Sequence, residues 1–359
     1  MSFLFFSLLL ILGSFILSYV LIPKIRVIAK VSNFRSKPNH RSSHVDFVPN
    51  IGGVAFYVVL MISFYFIEKF DEFNTLYSLL PGLTIIFIIG LKDDLIGVAP
   101  STKLIAQILS GVFLVFHPSF ELLNFKGFLW VFEINYFIGL LIVIFINVLI
   151  INALNLIDGI DGLAGVISII VFSSFTILFL LIERYFLCSI CIVLIGSLIA
   201  FLRFNVSNEK KIFMGDTGSM LIGFIISILT LRIIALPNEK LVELNFPLQN
   251  IPFLIFSFIS IPILDLVRVF VIRIFAGKSP FEADRNHFHH LIIDFFKLSH
   301  FKTSLFIGFI NLVIILIFGI AIMYLGQALL FGLVFFIFIS YYFLLNIISS
   351  NLDNKLKNQ

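Results

Sequence analysis

Sixty per cent of the 359 residues are hydrophobic, 12% are charged, and the net charge is +4. A soluble domain carries about 25% charged residues, so this supply cannot cover a soluble surface. A large soluble protein with an oversized core is excluded by repeated apolar runs long enough to approach about 30 Å of hydrocarbon. The two cysteines, Cys188 and Cys191, lie in one such run and read as small packing residues rather than a redox pair. The 47 phenylalanines read as apolar filler.

In chain order the apolar runs fall at 2–22, 50–67, 76–91, 104–117, 134–152, 164–182, 185–202, 218–236, 251–274, 304–325 and 328–347. They predict an all-α membrane protein, a polytopic bundle of about 11 transmembrane helices in which 104–117 is the shortest. Lys24 and Arg26 follow the first run instead of preceding it, which predicts a retained helix and not a cleaved leader. No repeat or separate soluble unit interrupts residues 1–347, and 348–359 form a tail.

Orientation follows from the basic residues. The connections 23–49, 92–103, 153–163, 203–217 and 275–303 (counted from Arg273), with the tail, hold 18 Lys and Arg. The alternate connections hold five: Lys69, Lys126, Arg184, Arg232 and Lys240. Basic excess marks the cytoplasmic side, which predicts the N-terminus outside and the C-terminus in the cytoplasm. Nine of eleven aspartates share that side, whereas seven of nine glutamates do not. Acidic residues contribute little to topology. Short carboxylates held close to the backbone suit metal and phosphate, so function explains the split better.

Four cytoplasmic segments carry the candidate chemistry. Lys92-Asp93-Asp94, then Gly97, Pro100 and Lys103, join the third and fourth runs. Adjacent carboxylates do not both ionise cheaply without a cation nearby, which predicts metal binding or a base with a raised pKa. Pro100 fits the first turn of the next helix and brings Lys103 to the membrane surface. Further on, Asn152, Asn155, Asp158 and Asp161 recur at every third position, with glycines at 159, 162 and 165. This predicts a helix end breaking into a glycine-rich turn whose polar side chains face a ligand. In the third segment Asp216 stands near a helix N-terminus, where amide N–H groups favour a capping side chain or a phosphate.

The fourth segment, 279–290, holds His287, His289 and His290. Substrate contacts suit it better than zinc, because His289 points away from the face shared by the other two and no cysteine is near. His40 and His44 read as loop histidines. Asp265 and Arg268, at i,i+3 in the ninth run, read as a neutralising pair.

The sequences KDDLIGVAPSTK, NALNLIDGIDGLAG, FMGDTGS and SPFEADRNHFHH, in this order on one face, resemble the polyprenyl-phosphate N-acetylhexosamine-1-phosphate transferases of glycosyltransferase family 4. The resemblance covers roughly residues 1–325 and includes HVDFVPNIGG at 44–53. The histidine segment is similar to that of enzymes that begin O-antigen, enterobacterial common antigen or teichoic-acid linkage synthesis. It departs from the muramoyl-pentapeptide branch.

The resemblance implies a multi-pass catalytic domain in the bacterial cytoplasmic membrane with its active site on the cytoplasmic face. It implies transfer of N-acetylhexosamine 1-phosphate, GlcNAc first, from a UDP-sugar to undecaprenyl phosphate, with release of UMP. By the same resemblance Asn155 and Asp216 would bind Mg²⁺ (or Mn²⁺), and Asp161, with Asp158, would meet uracil. Lys103 would contact a phosphate, and Asn152 would line the substrate site. His287, His289 and His290 would contact sugar or pyrophosphate. Asp93, supported by Asp94, would take the proton from, or orient, the lipid phosphate. No nucleic-acid partner is expected, and a homodimer is compatible.

Two rival classes fit less well. A transporter places its charges at the bilayer midplane in repeat-related broken helices. An intramembrane aspartyl protease needs G-x-G-D, whereas Phe213 stands two residues before Gly215.

Overall fold

The computed structural model describes residues 3–31, 48–72, 74–115, 125–236, 238–241, 244–277 and 287–357. His40, His44, His117 and the 279–286 part of the histidine segment lie outside them. The described chain is helical throughout: α1 (Phe3–Val31), α2 (Gly53–Ile67), α3 (Thr75–Ile96), α4 (Pro100–Val115), α5 (Tyr136–Ile157), α6 (Leu163–Leu181) and α7 (Tyr185–Asn205). Then come α8 (Gly215–Ala235), α9 (Asn238–Leu241), α10 (Ile251–Phe258), α11 (Ser260–Phe275), α12 (Phe288–Phe296), α13 (His300–Tyr324) and α14 (Gln327–Lys357).

Within the described residues every predicted apolar run is helical, but not every one has the length and apolarity of a membrane span by itself. Among the described residues eight helices are long and apolar enough to cross a membrane. The count is nine if α10 and α11, bent by 74°, form one span. The chain is a multi-pass membrane protein, with fewer such helices than the eleven runs. The 16 residues of α4 reach only about 24 Å at 1.5 Å per residue. The segment 23–49 also starts as helix, because α1 continues through Pro23 to Val31.

The centre of the bundle is α8. Every residue from Thr217 to Ile233 is buried, as expected of a helix that is apolar all round. Ser219, Gly223 and Ser227 form a stripe of small residues that lets α5 approach closely. Asn155 Nδ2 donates to Ser219 Oγ at 2.9 Å, Gly223 lies against Ile151, and Ser227 Oγ donates to Asn147 Oδ1 at 2.5 Å. These three contacts step down α5 as they step up α8, so they fix the register of two antiparallel helices. Asn147 Nδ2 also donates to the Gln107 carbonyl at 2.8 Å, docking α4 on the same seam. The outer faces are apolar, with Leu141, Phe145, Phe309 and Phe335 exposed, which suits contact with lipid. Both cysteines are free and buried in α7.

Candidate active site

The polar ends of α3, α4, α5 and α8 meet at one end of the bundle, and α8 sets their geometry. The strand-like segment before α2 pairs with the one before α8: Gly52 N–H donates to the Phe213 carbonyl at 3.0 Å and Phe213 N–H to the Pro49 carbonyl at 2.8 Å. At the turn into α8, Gly215 has φ +72°, and a Cβ there would collide with the Asn50 carbonyl and the Asp94 carboxylate. Only glycine fits both demands. No side chain near in sequence caps α8; Asp94 does so from α3. Its Oδ1 accepts the Asp216 N–H and its Oδ2 the Thr217 N–H, both at 2.9 Å, and Thr217 Oγ1 donates to Oδ2 at 2.5 Å. Asn50 Nδ2 adds a fourth bond at 3.1 Å. The buried Asp94 is therefore committed to orphan amides of a helix start and holds Asp216 in place.

Its neighbour points elsewhere. Asp93 Oδ1 accepts the Val98 N–H at 2.7 Å, and Oδ2 accepts Lys103 Nζ at 2.7 Å. The same ammonium also hydrogen-bonds Asp216 Oδ2, so Lys103 bridges α3 and α8 from the first turn of α4. Asn155 faces Asp216 from α5, its amide held by Ser219 and its carbonyl left to accept or coordinate. The carboxyl group of Asp158, just past the end of α5, has no hydrogen-bond or ion-pair partner among the described residues. Burial first, then the nearby carboxylates of Asp216, Asp94 and Asp161, hold its pKa well above the usual carboxylate range. Among the described residues Lys103 is the one ammonium that hydrogen-bonds Asp93 and Asp216, with Asp94 and Asp158 close by, and this excess of carboxylates fits a further cation.

Among the described residues no three acidic, histidine or cysteine side chains converge as an all-protein metal cage requires. Mg²⁺ does not demand one: it commonly takes one or two carboxylates, and substrate phosphates and water complete its shell. The hard oxygen donors of Asp216 and Asn155 fit that chemistry. Asn152, one turn back, is engaged with α4: its Nδ2 donates to Gln107 Oε1 and to the Val148 carbonyl, both at 2.7 Å.

A second cluster lies beside the first. Asp161 Oδ2 accepts Lys211 Nζ at 2.7 Å and faces His300 Nδ1 at 3.1 Å. Burial would raise the Asp161 pKa, but these two hydrogen bonds outweigh it and hold the carboxyl below its ordinary value. Asn205 ties the two loops together, accepting the Gly162 N–H at 2.6 Å and donating to the Ile212 carbonyl at 2.9 Å. Lys211, His300 and Asn205 were not singled out in the sequence. A lysine two residues before FMGD was the available signal for Lys211; His300 and Asn205 act only through tertiary contacts.

The histidines divide by environment. His287 Nδ1 lies 2.8 Å from Asp265 Oδ2, so the expected Asp265–Arg268 pair gives way to an Asp265–His287 pair. Arg268 instead donates to Asn346 Oδ1 of α14 at 3.2 Å. His289 is buried against Gly159, where a Cβ would collide with its ring, and neither ring nitrogen has a hydrogen-bond partner among the described residues. Burial, then the charge of His290, pushes its pKa down to about 3. The His289 and His290 rings lie 4.3 Å apart.

Residues 76–234, which carry both carboxylate clusters, match the model of glycosyl transferase family 4. The chain is 29% identical over 287 residues to an undecaprenyl-phosphate α-N-acetylglucosaminyl 1-phosphate transferase of Haemophilus influenzae, covering 79% of this chain and 77% of that one. To the enzyme of the same name from Escherichia coli K12 it is 27% identical over 275 residues, covering 75% and 71%. Over residues 76–234 the chain is thus similar to glycosyl transferase family 4. The stretch matched to the family runs from α3 to α8 and so contains Asp93, Lys103, Asn155, Asp158, Asp161 and Asp216. The histidine segment and His300 lie beyond it.

Proposed function

We propose that this protein is a family 4 enzyme that transfers N-acetylhexosamine 1-phosphate, GlcNAc 1-phosphate first, from a UDP-sugar to undecaprenyl phosphate. It would begin a cell-surface polysaccharide from the cytoplasmic face of the bacterial inner membrane. The observation that carries the reading is the meeting of Asp93, Lys103, Asn155, Asp158 and Asp216 at one end of a membrane-crossing bundle. A nucleotide sugar arrives from water and the acceptor lies in the bilayer, so their phosphates can meet only at such an end. The names of the relatives support the undecaprenyl-phosphate acceptor and the N-acetylglucosamine 1-phosphate group. The N-terminus outside, the C-terminus in the cytoplasm and eleven crossings, with α3 and α4 counted, complete the proposed topology.

In this reading an oxygen of the lipid phosphate attacks the β-phosphorus of the UDP-sugar. The bond from that phosphorus to the bridging oxygen breaks, and UMP leaves with the electron pair. Asp216 and Asn155 would hold Mg²⁺, which supplies charge neutralisation across the pyrophosphate when bound. Lys103 meets phosphate oxygens from between Asp93 and Asp216. Asp93 takes the proton from the lipid phosphate or orients it, while Asp94 keeps the α8 start fixed. Asp161, held ionised by Lys211 and His300, faces the uracil, with Asp158 beside it. His289 and His290 contact the sugar or pyrophosphate.

Incubating the purified protein with undecaprenyl phosphate and a panel of UDP-sugars tests this. UMP release with at least one UDP-N-acetylhexosamine, abolished by EDTA and restored by Mg²⁺, is expected. No release with any member of the panel would sink the enzyme reading.

A further inference from the structure

The histidine segment enters α12 through an anchor that lies outside both carboxylate clusters. Asp265, buried one turn into α11, accepts the Phe288 N–H on Oδ1 at 2.8 Å, faces His287 Nδ1 on Oδ2 at 2.8 Å and accepts Tyr341 Oη of α14 at 3.2 Å. Phe288 opens α12, and His287, extended at φ −65°, ψ 148°, offers the helix no side-chain cap. Asp265 therefore caps α12 from another helix, as Asp94 caps α8. On the far side of the same imidazole, Arg273 approaches His287 Nε2 at 3.5 Å. A guanidinium only donates, so Nε2 is the acceptor, and Nδ1 carries the proton given to Asp265. Both ring nitrogens of His287 are then used within the protein, whereas those of His289 are not.

We infer that Asp265 is a positioning residue: through His287 and the start of α12 it fixes where His289 and His290 stand beside the loop after α5. His287 belongs to this anchor and does not touch the substrate. The activity readout below rests on the proposed function; the exchange readout does not.

The test uses the full-length protein in detergent with Asp265→Asn, His287→Ala and His287→Asn. Asparagine at 265 has one acceptor oxygen and places an N–H₂ against the other donor. Asparagine at 287 places an N–H where Nδ1 was and so keeps the bond to Asp265. In Asp265→Asn and His287→Ala, amide exchange across Phe288–Phe296 should accelerate at least about tenfold, with exchange in α8 unchanged. UMP release should fall by about tenfold or more in both, while His287→Asn stays within about threefold of the parent on both readouts.

Unchanged α12 exchange in Asp265→Asn would overturn the anchor. So would His287→Asn as inactive as His287→Ala with normal exchange, since His287 would then act on the substrate itself. If Asp265→Asn does not fold, the two His287 variants still decide. If even the parent releases no UMP, the functional reading fails and α12 exchange alone judges the anchor.

Discussion

The two ends of the bundle are both charged, and they use their charges differently. At the end away from the candidate site, charged and polar side chains close loops. Arg184 pairs with the mostly exposed Glu72 at 2.8 Å, Lys126 Nζ donates to the Leu236 carbonyl at 2.6 Å, and Asp71 caps the Thr75 and Leu76 amides. Asn250 donates to the carbonyls of Ile322 and Leu325, and Gln327 to that of Gly127. At the site end, charges from different helices face one another: Lys103 serves two carboxylates, Asp161 takes two cations, and Asp158 and His289 keep acceptors to spare. The number of charges does not separate a site from a staple. What separates them is whether each group's bonds are completed by the fold.

That contrast predicts a gradient of effects. Replacing Asp216 by Asn removes the carboxylate that shares Lys103 with Asp93 and faces Asn155, and UMP release should fall by at least about a hundredfold. Protein yield and thermal stability should stay near the parent values. Asp94→Asn should do the reverse in kind. An amide cannot accept from both α8 N–H groups and Thr217 as a carboxylate does, so stability should drop by about 1.5–3 kcal/mol, read as a lowered melting midpoint, with activity falling alongside. A milder effect is expected from Lys211→Met, which leaves Asp161 with His300 alone: KM for the UDP-sugar should rise by about tenfold with kcat less affected. The smallest belongs to the far end. Glu72→Gln breaks a half-exposed ion pair worth about 0–1 kcal/mol, and activity should stay within about twofold. A large activity loss there, or none in Asp216→Asn, would break the comparison.

Much of this was legible in the chain. Each of the eleven apolar runs is helical within the described residues, because membrane-buried segments leave a signal in composition alone. The bend between α10 and α11 was not, since 251–274 is continuously apolar and the break at Ile259 leaves its residues on either side equally apolar. Asp93 and Asp94 were visible as a pair but not as two roles. Successive side chains on a helix point about 100° apart, so one reaches Lys103 and the other the start of α8. Asp265 was matched to Arg268 by helical spacing, yet its partner is His287, 22 residues away in sequence. Local spacing gives neighbours on one helix, and the caps that matter here come from another.

The most direct test sets three proteins side by side at equal amounts in membranes supplied with undecaprenyl phosphate, a UDP-N-acetylhexosamine and Mg²⁺. The parent and Glu72→Gln should release UMP at matching rates, and Asp216→Asn should release almost none. Equal release from all three, or loss in Glu72→Gln with Asp216→Asn intact, would contradict the assignment of the reaction to the end of the bundle where Asp93, Lys103 and Asp216 meet.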